Sequence, residues 1–365
     1  MKVSCLTFHD STNYGTVLQA YALQTVVSEM GHEYEIINYS TPEKRKHDTV
    51  FGRNREMSVL QYLYKLSNAP QNLYKTHLFR RFTTQHLKIT RRFYTMDQLR
   101  EYAADRDAIL AGSDQVWNSE MVREDSAYFL KFTEPQKRAS YAASLGISRV
   151  SSHQRSFYQE MLSDFERISV REPTGAQLIG EMTGKPVRVV LDPTLLLTKE
   201  EWARICLTPP KRPYIFAYIL ERNPQAQIFL RKLQAQTGLP VRYVTRGYVS
   251  ALRDGAAWLP SPQKWVTQLM NAAYVVTSSF HGTAFSVNFQ KNFFTFVNGD
   301  PTDSRQTDFL RSMGLYGRLN PDYTGVISLT SPDFQQAKTV LAEERIASKA
   351  WLKNALLEIA GRDRL

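Results

Sequence analysis

The sequence predicts an α/β protein made of two Rossmann-like domains that face a cleft. Residues 1–39 read as strand, helix and strand, which is the repeating unit of a parallel sheet. The chain has 365 residues, which is more than one ordinary hydrophobic core holds and suits two domains. The alternation of strands and helices starts afresh beyond Thr194, so we predict the domain boundary there.

The first predicted domain, residues 1–194, alternates apolar strands with helices. Its first helix follows the turn Asn13-Tyr14-Gly15 and ends at Gly31. We predict strands at residues 1–8, 33–39, 108–111, 138–143, 168–170 and 187–191, with further helices at residues 96–104 and 154–165 and from Pro173. Because ligands bind at the carboxyl ends of parallel strands, the Asn13-Tyr14-Gly15 turn lies on the expected ligand edge. The turn lacks a Gly-x-Gly-x-x-Gly fingerprint, so dinucleotide binding is not indicated.

The second predicted domain, residues 195–345, repeats the same rhythm. We predict strands at residues 214–220, 241–244 and 274–279, with helices from Lys199, at residues 224–237 and at residues 262–271. Residues 346–365 are predicted to form a C-terminal helix.

Residues 41–94 interrupt the first domain with two predicted helices rich in aromatic and basic residues, and we interpret them as a helical basic insertion. Their basic residues are Lys44, Arg45, Lys46, Arg53, Arg55, Arg80, Arg81, Lys88, Arg91 and Arg92. They contribute to a formal net charge of +11, which predicts attraction to phosphates. Two interpretations stay open, a solvated helical face or a contact with an anionic membrane. No zinc-finger or RNP-like string accompanies them, so we do not expect nucleic acid as a partner.

The composition, with 42% hydrophobic and 22% charged residues, is that of a globular protein rather than a disordered chain. The two cysteines, Cys5 and Cys206, provide neither a disulfide framework nor a cysteine-rich metal site, and a reducing cytoplasm fits. No apolar run reaches the about 18–20 residues of a membrane span. We therefore expect a cytoplasmic protein, soluble or peripheral at the inner face of the membrane.

The most informative stretch is residues 274–291, which reads as strand, polar turn and buried helix. The turn contains Ser279, His281, Gly282 and Thr283 at the predicted start of the helix. The first N–H groups of a helix lack internal partners and carry the positive end of its dipole, so the stretch predicts an anion site. His281 is either a functional residue of that site or a helix-start residue bonded to a backbone carbonyl.

Two further polar residues follow strands at the expected ligand edge. Asp114 comes after a buried strand and is either a base or hydrogen-bond acceptor in the cleft or a turn former. Arg171 also follows a strand directly, and we expect it to face the cleft. Asp105-Arg106-Asp107 is similar to the Asp-x-Asp motif of metal-dependent glycosyltransferases but precedes its strand, which is the wrong end of the sheet. The seven histidines are scattered, so we expect no metal site.

Five short strings occur together in this chain: Asn13-Tyr14-Gly15 with Leu18-Gln19-Ala20-Tyr21-Ala22-Leu23, Gly112-Ser113-Asp114-Gln115-Val116-Trp117-Asn118, Ser169-Val170-Arg171-Glu172, Asp192-Pro193-Thr194 and Ser279-Phe280-His281-Gly282. In this order and spacing they resemble the polysaccharide pyruvyl transferase family, over roughly residues 1–315. The resemblance implies a fold like that of GT-B glycosyltransferases. It also implies transfer of a pyruvyl group from phosphoenolpyruvate to a sugar as a ketal, in a bacterial surface glycan such as an exopolysaccharide or capsule, without a further cofactor.

The resemblance also assigns residues. Arg171 and His281 match positions associated with donor binding or catalysis, and a later cation is either Lys291 or Arg305. We favour Arg305 because it begins a helix, whereas Lys291 ends one. Six residues are expected to bind the donor, five of them in the C-terminal domain and Arg171 in the N-terminal domain: Arg171, Arg305, Ser279, His281, Gly282 and Thr283. The acceptor ligands expected in the N-terminal domain are Asn13, Tyr14, Gly15, Gln115 and Trp117.

The chemistry of such a transfer asks for these residue types. Phosphoenolpyruvate carries a carboxylate and a phosphate, so its site needs at least two cationic or N–H-rich pockets. Ketal formation needs an acid that protonates the methylene carbon and a base for the sugar hydroxyl, and we assign His281 as acid and Asp114 as base. The expected acceptor is a lipid-linked oligosaccharide. The alternatives are a nucleotide-sugar-dependent GT-B glycosyltransferase and a non-catalytic protein that binds glycan or nucleic acid.

Overall fold

A computed structural model of the protein describes residues 1–40, 69–220, 223–244, 257–299 and 303–362. The chain divides into two compact units. Within the described ranges, the first unit contains residues 1–40, 83–196 and 343–362, and the second contains the rest. Each unit has its own five-stranded parallel sheet with helices between the strands. The predicted α/β class with two Rossmann-like domains is therefore confirmed.

The sheet of the first unit has the strand order β3-β2-β1-β4-β5, and all of its strand pairs are parallel. Its strands are β1 Lys2–Leu6, β2 Glu33–Tyr39, β3 Ile89–Phe93, β4 Ala108–Ala111 and β5 Arg138–Ser140. Two more strands, β6 Ile168–Val170 and β7 Val187–Val189, pair in parallel, and single bridges connect β6 and its flanks to the segment around β5. Because β1 and β4 are neighbours, the polar segments that follow them lie side by side at the carboxyl edge.

Helices connect these strands, as the sequence predicts for βαβ units. They are α1 Tyr14–Glu29, α2 Ala69–His86, α3 Met96–Ala104, α4 Ser119–Val122, α5 Ser152–Leu162, α6 Pro173–Thr183 and α7 Pro193–Leu196. Of α2, only residues 83–86 belong to the first unit. Side chains of the strands and of their connecting segments, among them Ile37, Ile109, Trp117 and Phe165, form one buried apolar cluster. Burial of this apolar surface stabilises the unit and fixes the polar edge above it.

The sheet of the second unit has the order β10-β9-β8-β11-β12, again with parallel pairs. Its strands are β8 Ile215–Tyr218, β9 Val241–Val244, β10 Ala257–Trp258, β11 Tyr274–Thr277 and β12 Asn292–Thr295. The helices are α8 Lys199–Ala203, α9 Pro224–Thr237, α10 Pro262–Asn271, α11 Phe280–Asn288 and α12 Ser304–Ser312. A core cluster that includes Ile215, Phe229, Val276 and Phe294 joins α9 to one face of the sheet.

Three strands, β3, β10 and β12, differ from the sequence prediction, and β10 was not predicted. Ile89–Phe93 lies in the region that we predicted as a helical insertion, but it forms edge strand β3 beside β2. Arg91 and Arg92 are exposed on this strand, and such charges protect a sheet edge rather than indicate a helix. Strand β12 was not predicted, although it pairs with β11 along its whole length. Residues 41–68 of the predicted insertion lie outside the described ranges.

The last helix, α13 Gln335–Arg362, begins earlier than the predicted helix at residues 346–365. From residue 343 its residues belong to the first unit. Its Ser348 hydroxyl accepts a hydrogen bond from the Leu191 N–H at 3.0 Å, and its Glu358 carboxylate accepts one from Arg167 Nε at 3.1 Å. Among the described helices, none is both long and apolar enough to cross a bilayer.

Candidate functional site

Asp114 lies shortly after β4, at the carboxyl edge of the first sheet. Its φ angle is 72°, a left-handed conformation that residues other than glycine seldom adopt. The Asp114 carbonyl oxygen accepts hydrogen bonds from the N–H groups of Val116 (2.8 Å) and Ser144 (3.0 Å), which hold the turn in place. Its Oδ2 accepts the Thr16 hydroxyl at 2.7 Å and its Oδ1 accepts the Gln115 N–H at 2.9 Å. Strained backbone of this kind is concentrated at functional sites.

The predicted turn Asn13-Tyr14-Gly15 is the N-terminus of α1. Asn13 is the exposed N-cap, and its Oδ1 accepts the Gly15 N–H at 3.0 Å, whereas Tyr14 and Gly15 are buried. Thr16 is in the first turn and carries the hydroxyl that binds Asp114. The N–H groups and the positive dipole end of a helix N-terminus are favourable neighbours for a carboxylate, so Asp114 suits its place at this end of α1. The structure therefore brings the turn and Asp114 together.

Arg171 follows β6 and its side chain is only 3% exposed. Its Nε donates to Glu172 Oε1 at 2.9 Å, and its Nη1 donates to Asp192 Oδ2 at 2.8 Å. Burial acts to lower the pKa of the guanidinium, but the charges of Glu172, Asp192 and Asp114 outweigh burial and raise this pKa above its ordinary value. Arg171 is thus the centre of an internal ion-pair network. Glu172 and Asp192 bind it directly, and Asp114 acts on it through its charge.

The carboxylates of this network are held by neighbouring hydroxyls. Asp192 Oδ1 accepts the Thr194 N–H at 2.9 Å and the Thr194 hydroxyl at 2.7 Å, which explains the string Asp192-Pro193-Thr194. Glu172 Oε1 also accepts the Ser144 hydroxyl at 2.9 Å. One cation therefore faces several carboxylates, and the group suits hydroxyl ligands better than anions. In the part of the chain that the structure describes, no three His, Cys, Asp or Glu side chains are grouped to hold a metal ion.

Trp117, predicted to bind the acceptor, is a core residue. It is fully buried, its Nε1 donates to the Tyr128 carbonyl oxygen at 3.0 Å, and its ring stacks on Phe129 with centroids 5.7 Å apart. A side chain with no exposed surface has no face for a ligand, so Trp117 can affect the carboxyl edge of the first sheet only through packing.

Gln115 is half-buried beside Asp114, and its Oε1 accepts a hydrogen bond from Asn118 Nδ2 at 2.7 Å.

The predicted anion site of the second unit is the start of α11. Ser279 is the N-cap, and its hydroxyl accepts the Gly282 N–H at 3.5 Å. A Cβ at Gly282 would lie 2.2 Å from Thr277 Oγ1, so only glycine allows the first turn to lie this close to the end of β11. His281 is the second residue of the helix, 9% exposed, with its ring edge-to-face against Phe280 at 5.4 Å.

A chain of side-chain contacts links the start of α11 to the start of α12. The hydroxyls of Thr283 and Thr295 are 2.8 Å apart, and Gln306 Nε2 donates to Thr295 Oγ1 at 3.3 Å. Thr283 is in the first turn of α11, Thr295 ends β12 and Gln306 is in the first turn of α12. Two helix N-termini therefore meet at the carboxyl ends of β11 and β12.

Arg305 shares this edge with His281, whereas Lys291 does not. Arg305 is half-buried in the first turn of α12, and the Phe280 ring beside His281 contacts Phe309 of α12 at 5.8 Å. Lys291 lies beyond the C-terminal end of α11 and directly before β12, which is the opposite edge of the sheet. Burial lowers the pKa of Lys291, and a nearby lysine lowers it further.

His9 was not among the site residues predicted from the sequence. It follows β1, is 6% exposed, and its Nδ1 lies 3.0 Å from the Thr7 carbonyl oxygen. The Thr7 hydroxyl donates to the Ser113 carbonyl oxygen at 2.8 Å, so this segment borders the turn of Asp114. Thr16 was missed as well. The position of both residues, one after the first strand and one in the first turn of α1, is the signal that could have identified them.

A family model described as polysaccharide pyruvyl transferase matches residues 13–301, well over half of the chain. The match begins at the N-cap of α1 and includes Asp114, Arg171 and His281. A sequence search of curated proteins gives no match.

Solved structures with a similar arrangement come from several organisms. A putative UDP-N-acetylglucosamine 2-epimerase from Listeria monocytogenes is 10% identical, with a TM-score of 0.49 over 99% of this chain and 91% of that chain. The corresponding epimerase from Rickettsia bellii is 12% identical, with a TM-score of 0.47 over 99% and 96%. The heptosyltransferase WaaC of E. coli, solved with ADP, is 11% identical, with a TM-score of 0.42 over 94% and 100%.

Proposed function

The chain belongs to the polysaccharide pyruvyl transferase family, and from this premise we propose that it transfers a pyruvyl group from phosphoenolpyruvate to a sugar as a ketal. The product is part of a bacterial surface polysaccharide such as an exopolysaccharide or capsule. Phosphoenolpyruvate serves as donor substrate, and the reaction needs no cofactor or metal. The observation that carries the proposal is the meeting of two helix N-termini beside His281 and Arg305.

The start of α11 supports binding of an anionic donor. Ser279, Gly282 and Thr283 line its first turn, whose N–H groups and dipole favour negative charge. The adjacent start of α12 adds a second set of N–H groups together with the guanidinium of Arg305. Phosphoenolpyruvate carries two anionic groups on three carbons, so two neighbouring sites of this kind match it.

His281 is the proposed general acid. Its place in the first turn of α11 puts a titratable ring next to the anions that the helix would bind. An imidazole can both donate and accept a proton, which suits transfer to a carbon atom and recovery from solvent or product.

Asp114 is the proposed base for the sugar hydroxyl. The Thr16 hydroxyl and the Gln115 N–H each occupy one lone pair of its carboxylate, and a carboxylate has about four such acceptor positions, so others stay available. Asn13 and Gln115 flank this position on the exposed edge and are the proposed acceptor ligands. Arg171, which the family resemblance assigns to the donor, acts electrostatically because its fork is paired with Glu172 and Asp192.

The proposed reaction balances. A proton from the acid adds to the methylene carbon while the oxygen of one sugar hydroxyl bonds to the adjacent carbon and loses its own proton. The bond from that carbon to the phosphate oxygen then breaks, and a second hydroxyl takes its place. Of the two hydroxyl protons, one replaces the proton given to the new methyl group and the other leaves with hydrogen phosphate.

The proposed acceptor is a lipid-linked oligosaccharide at the inner face of the membrane. Exposed Arg80 and Arg81 on α2 and exposed Arg91 and Arg92 on β3 support attraction to anionic headgroups, although Arg92 also pairs with Asp10 at 3.0 Å. Replacing these four arginines with glutamine should weaken binding to phosphatidylglycerol vesicles. Unchanged vesicle binding would favour a merely solvated face.

The direct test incubates the full chain with phosphoenolpyruvate and a panel of free and lipid-linked glycans. We expect release of inorganic phosphate only when an acceptor is present, and a glycan whose mass increases by one ketal-linked pyruvyl group. Phosphoenolpyruvate alone should also raise the melting temperature. At a concentration of a hundred times its Kd, the ligand should add about 2.7 kcal/mol to the free energy of unfolding. Equal stabilisation by a nucleotide sugar, with none from phosphoenolpyruvate, would overturn the proposal.

A further inference from the structure

The second unit contains a cavity of about 410 Å³ that is separate from the residues proposed to bind the donor. It lies between α9, β12 and the segment that leads to α13, with Phe294, Gly317, Arg318, Asp322, Ile327 and Asp333 in its lining. None of Ser279, His281 or Arg305 lines it. Its volume falls in the range of about 300–1,000 Å³ that is typical of small-molecule sites.

Arg318 is the cation of this cavity, and neutral groups hold it. Its Nη1 donates to Asn292 Oδ1 at 3.2 Å and its Nη2 to the Thr330 carbonyl oxygen at 2.6 Å. The guanidinium lies over the Phe294 ring, 5.1 Å from its centroid. No carboxylate of the described ranges pairs with it within 4.0 Å. Arg318 is therefore a fixed donor whose remaining N–H groups suit an oxygen ligand.

Two carboxylates line the same cavity. Asp322 accepts the Thr324 N–H at 2.9 Å and the Thr324 hydroxyl at 3.1 Å. Asp333 accepts the Gln335 N–H at 2.9 Å and so caps the start of α13. These local bonds use only part of the acceptor capacity of each carboxylate, so both can accept further hydroxyl groups.

The wall that carries these groups is fastened to α9. Gln236 Nε2 donates to the Ile327 carbonyl oxygen at 2.8 Å, and its Oε1 accepts the Ile327 N–H at 3.0 Å. Lys232 Nζ donates to the Tyr323 carbonyl oxygen at 2.6 Å. These bonds hold the segment without a ligand, so the cavity is preformed and little ordering opposes binding.

We propose that this cavity binds one neutral sugar unit of a glycan. One guanidinium and two carboxylates leave an excess of one negative charge, which disfavours phosphates and carboxylates. Neutral hydroxyls can donate to Asp322 and Asp333 and accept from Arg318, while Ile327 and nearby prolines supply an apolar surface for the C–H face of the ring. The inference rests on the proposed function, because a polysaccharide acceptor has sugar units to place outside the reacting edge.

A blocking variant tests the site. Gly317 lines the cavity, and a Cβ there meets nothing within 4 Å, so Gly317→Trp adds bulk without forcing a backbone change. Gly325→Trp is the matched control, because Gly325 is exposed, equally open and not part of the lining. Saturation-transfer NMR with methyl glucoside, methyl galactoside and their oligosaccharides should show binding to the parent and to Gly325→Trp. In Gly317→Trp, affinity for the oligosaccharide should fall at least tenfold.

A charge variant separates neutral from anionic ligands. Asp322→Asn with Asp333→Asn keeps an acceptor oxygen for Thr324 and Gln335, so the local turns and the helix cap survive. A neutral sugar should then bind more weakly, since amides accept hydroxyls less strongly than carboxylates. The proposal would be overturned if the parent bound inorganic phosphate or glucuronate more tightly than the neutral glycosides and Gly317→Trp abolished that anion binding, which would place the anion in this cavity rather than at the proposed donor site. The absence of saturation transfer from every glycoside would overturn it as well.

Turnover distinguishes this inference from the proposed function. With a short acceptor, Gly317→Trp should retain the phosphoenolpyruvate-dependent activity, and with a long glycan its KM should rise. If the parent binds the glycan but does not use phosphoenolpyruvate, and Gly317→Trp no longer binds the glycan, the site stands and the proposed function fails. If the parent turns over and Gly317→Trp binds oligosaccharide like Gly325→Trp, the site fails and the proposed function stands.

Discussion

The Thr16 hydroxyl donates a hydrogen bond of 2.7 Å to Oδ2 of Asp114, which joins the first turn of α1 to the strained turn after β4. This contact connects two strings that are about a hundred residues apart in the chain, the one that starts at Asn13 and the one that includes Asp114. It also fixes the orientation of the carboxylate, because the Gln115 N–H holds the second oxygen. A base that is held in this way loses little freedom when a hydroxyl approaches.

Asp114→Asn should keep the hydrogen bonds of the turn and remove the base. We expect kcat to fall by about 10²- to 10⁴-fold, the usual contribution of a general base, while the affinity for phosphoenolpyruvate changes little. Asp97→Asn is the control, since Asp97 is 89% exposed on α3. Steady-state kinetics and calorimetric donor binding measure the two quantities, and turnover within threefold of the parent would exclude Asp114 as the base.

Thr16→Val should lower kcat by about tenfold, because the Asp114 carboxylate loses the hydrogen bond that fixes its orientation. Valine is similar in shape to threonine but cannot donate, so one carboxylate oxygen loses its partner. The control is Thr25→Val, because the Thr25 hydroxyl, also on α1, donates to the Tyr21 carbonyl oxygen of the same helix. A purely structural role would lower the melting temperature without a specific loss of kcat, and a Thr16→Ser variant that restores kcat would support the orienting role.

Local patterns in the sequence predicted most of the fold. Strands such as Glu33–Tyr39 and helices such as Pro224–Thr237 have the predicted bounds, because apolar spacing, Pro at the first turn and Gly at the end are local signals. Strand β12 lacks such a signal, since it follows Gln290, a residue at φ 53° that ends α11 abruptly. Strand β3 was missed because exposed arginines on an edge strand and on a helix give the same pattern.

The candidate site was predictable where a residue's role follows from its place after a strand. Asp114 and His281 are of this kind, and both lie at carboxyl edges. The environment of Arg171 was not predictable, because its partner Asp192 is 21 residues away and is brought close only by the pairing of β6 with β7. The burial of Trp117 likewise depends on aromatic neighbours from other elements.

Arg171→Lys should reduce turnover at least tenfold and lower the stability of the first unit. A lysine carries one point charge and cannot bind Glu172 and Asp192 at once as the guanidinium fork does. Arg171→Ala should cost more, about 3–5 kcal/mol, because two buried carboxylates lose their partner. Denaturant unfolding and kinetics are measured beside Arg188→Lys, an exposed position on β7. Normal turnover in Arg171→Lys would remove Arg171 from the site.

Arg305→Ala and Lys291→Ala should differ in their effect on the donor. Arg305 shares the edge of His281, so its loss should raise the Kd for phosphoenolpyruvate by about tenfold or more, as expected for a charge-assisted bond to an anion. Lys291 lies at the opposite edge, and its variant should stay within about twofold of the parent. Isothermal titration with phosphoenolpyruvate compares the two variants directly. The reverse ranking would assign the donor cation to Lys291.

His281→Asn should separate an acid from a scaffold. Asparagine keeps a hydrogen-bonding side chain of similar reach and is tolerated in the first turn of a helix, so donor affinity and melting temperature should change little. If His281 protonates the methylene carbon, kcat falls by about 10²- to 10⁴-fold. If His281 only supports the start of α11, the melting temperature and donor affinity fall together, while kcat at saturating donor is retained. The control is His153→Asn, because the His153 side chain is 79% exposed. Solvent-deuterium incorporation into the product methyl group, measured in the same variants by mass spectrometry, reports the proton transfer itself and should slow only in His281→Asn.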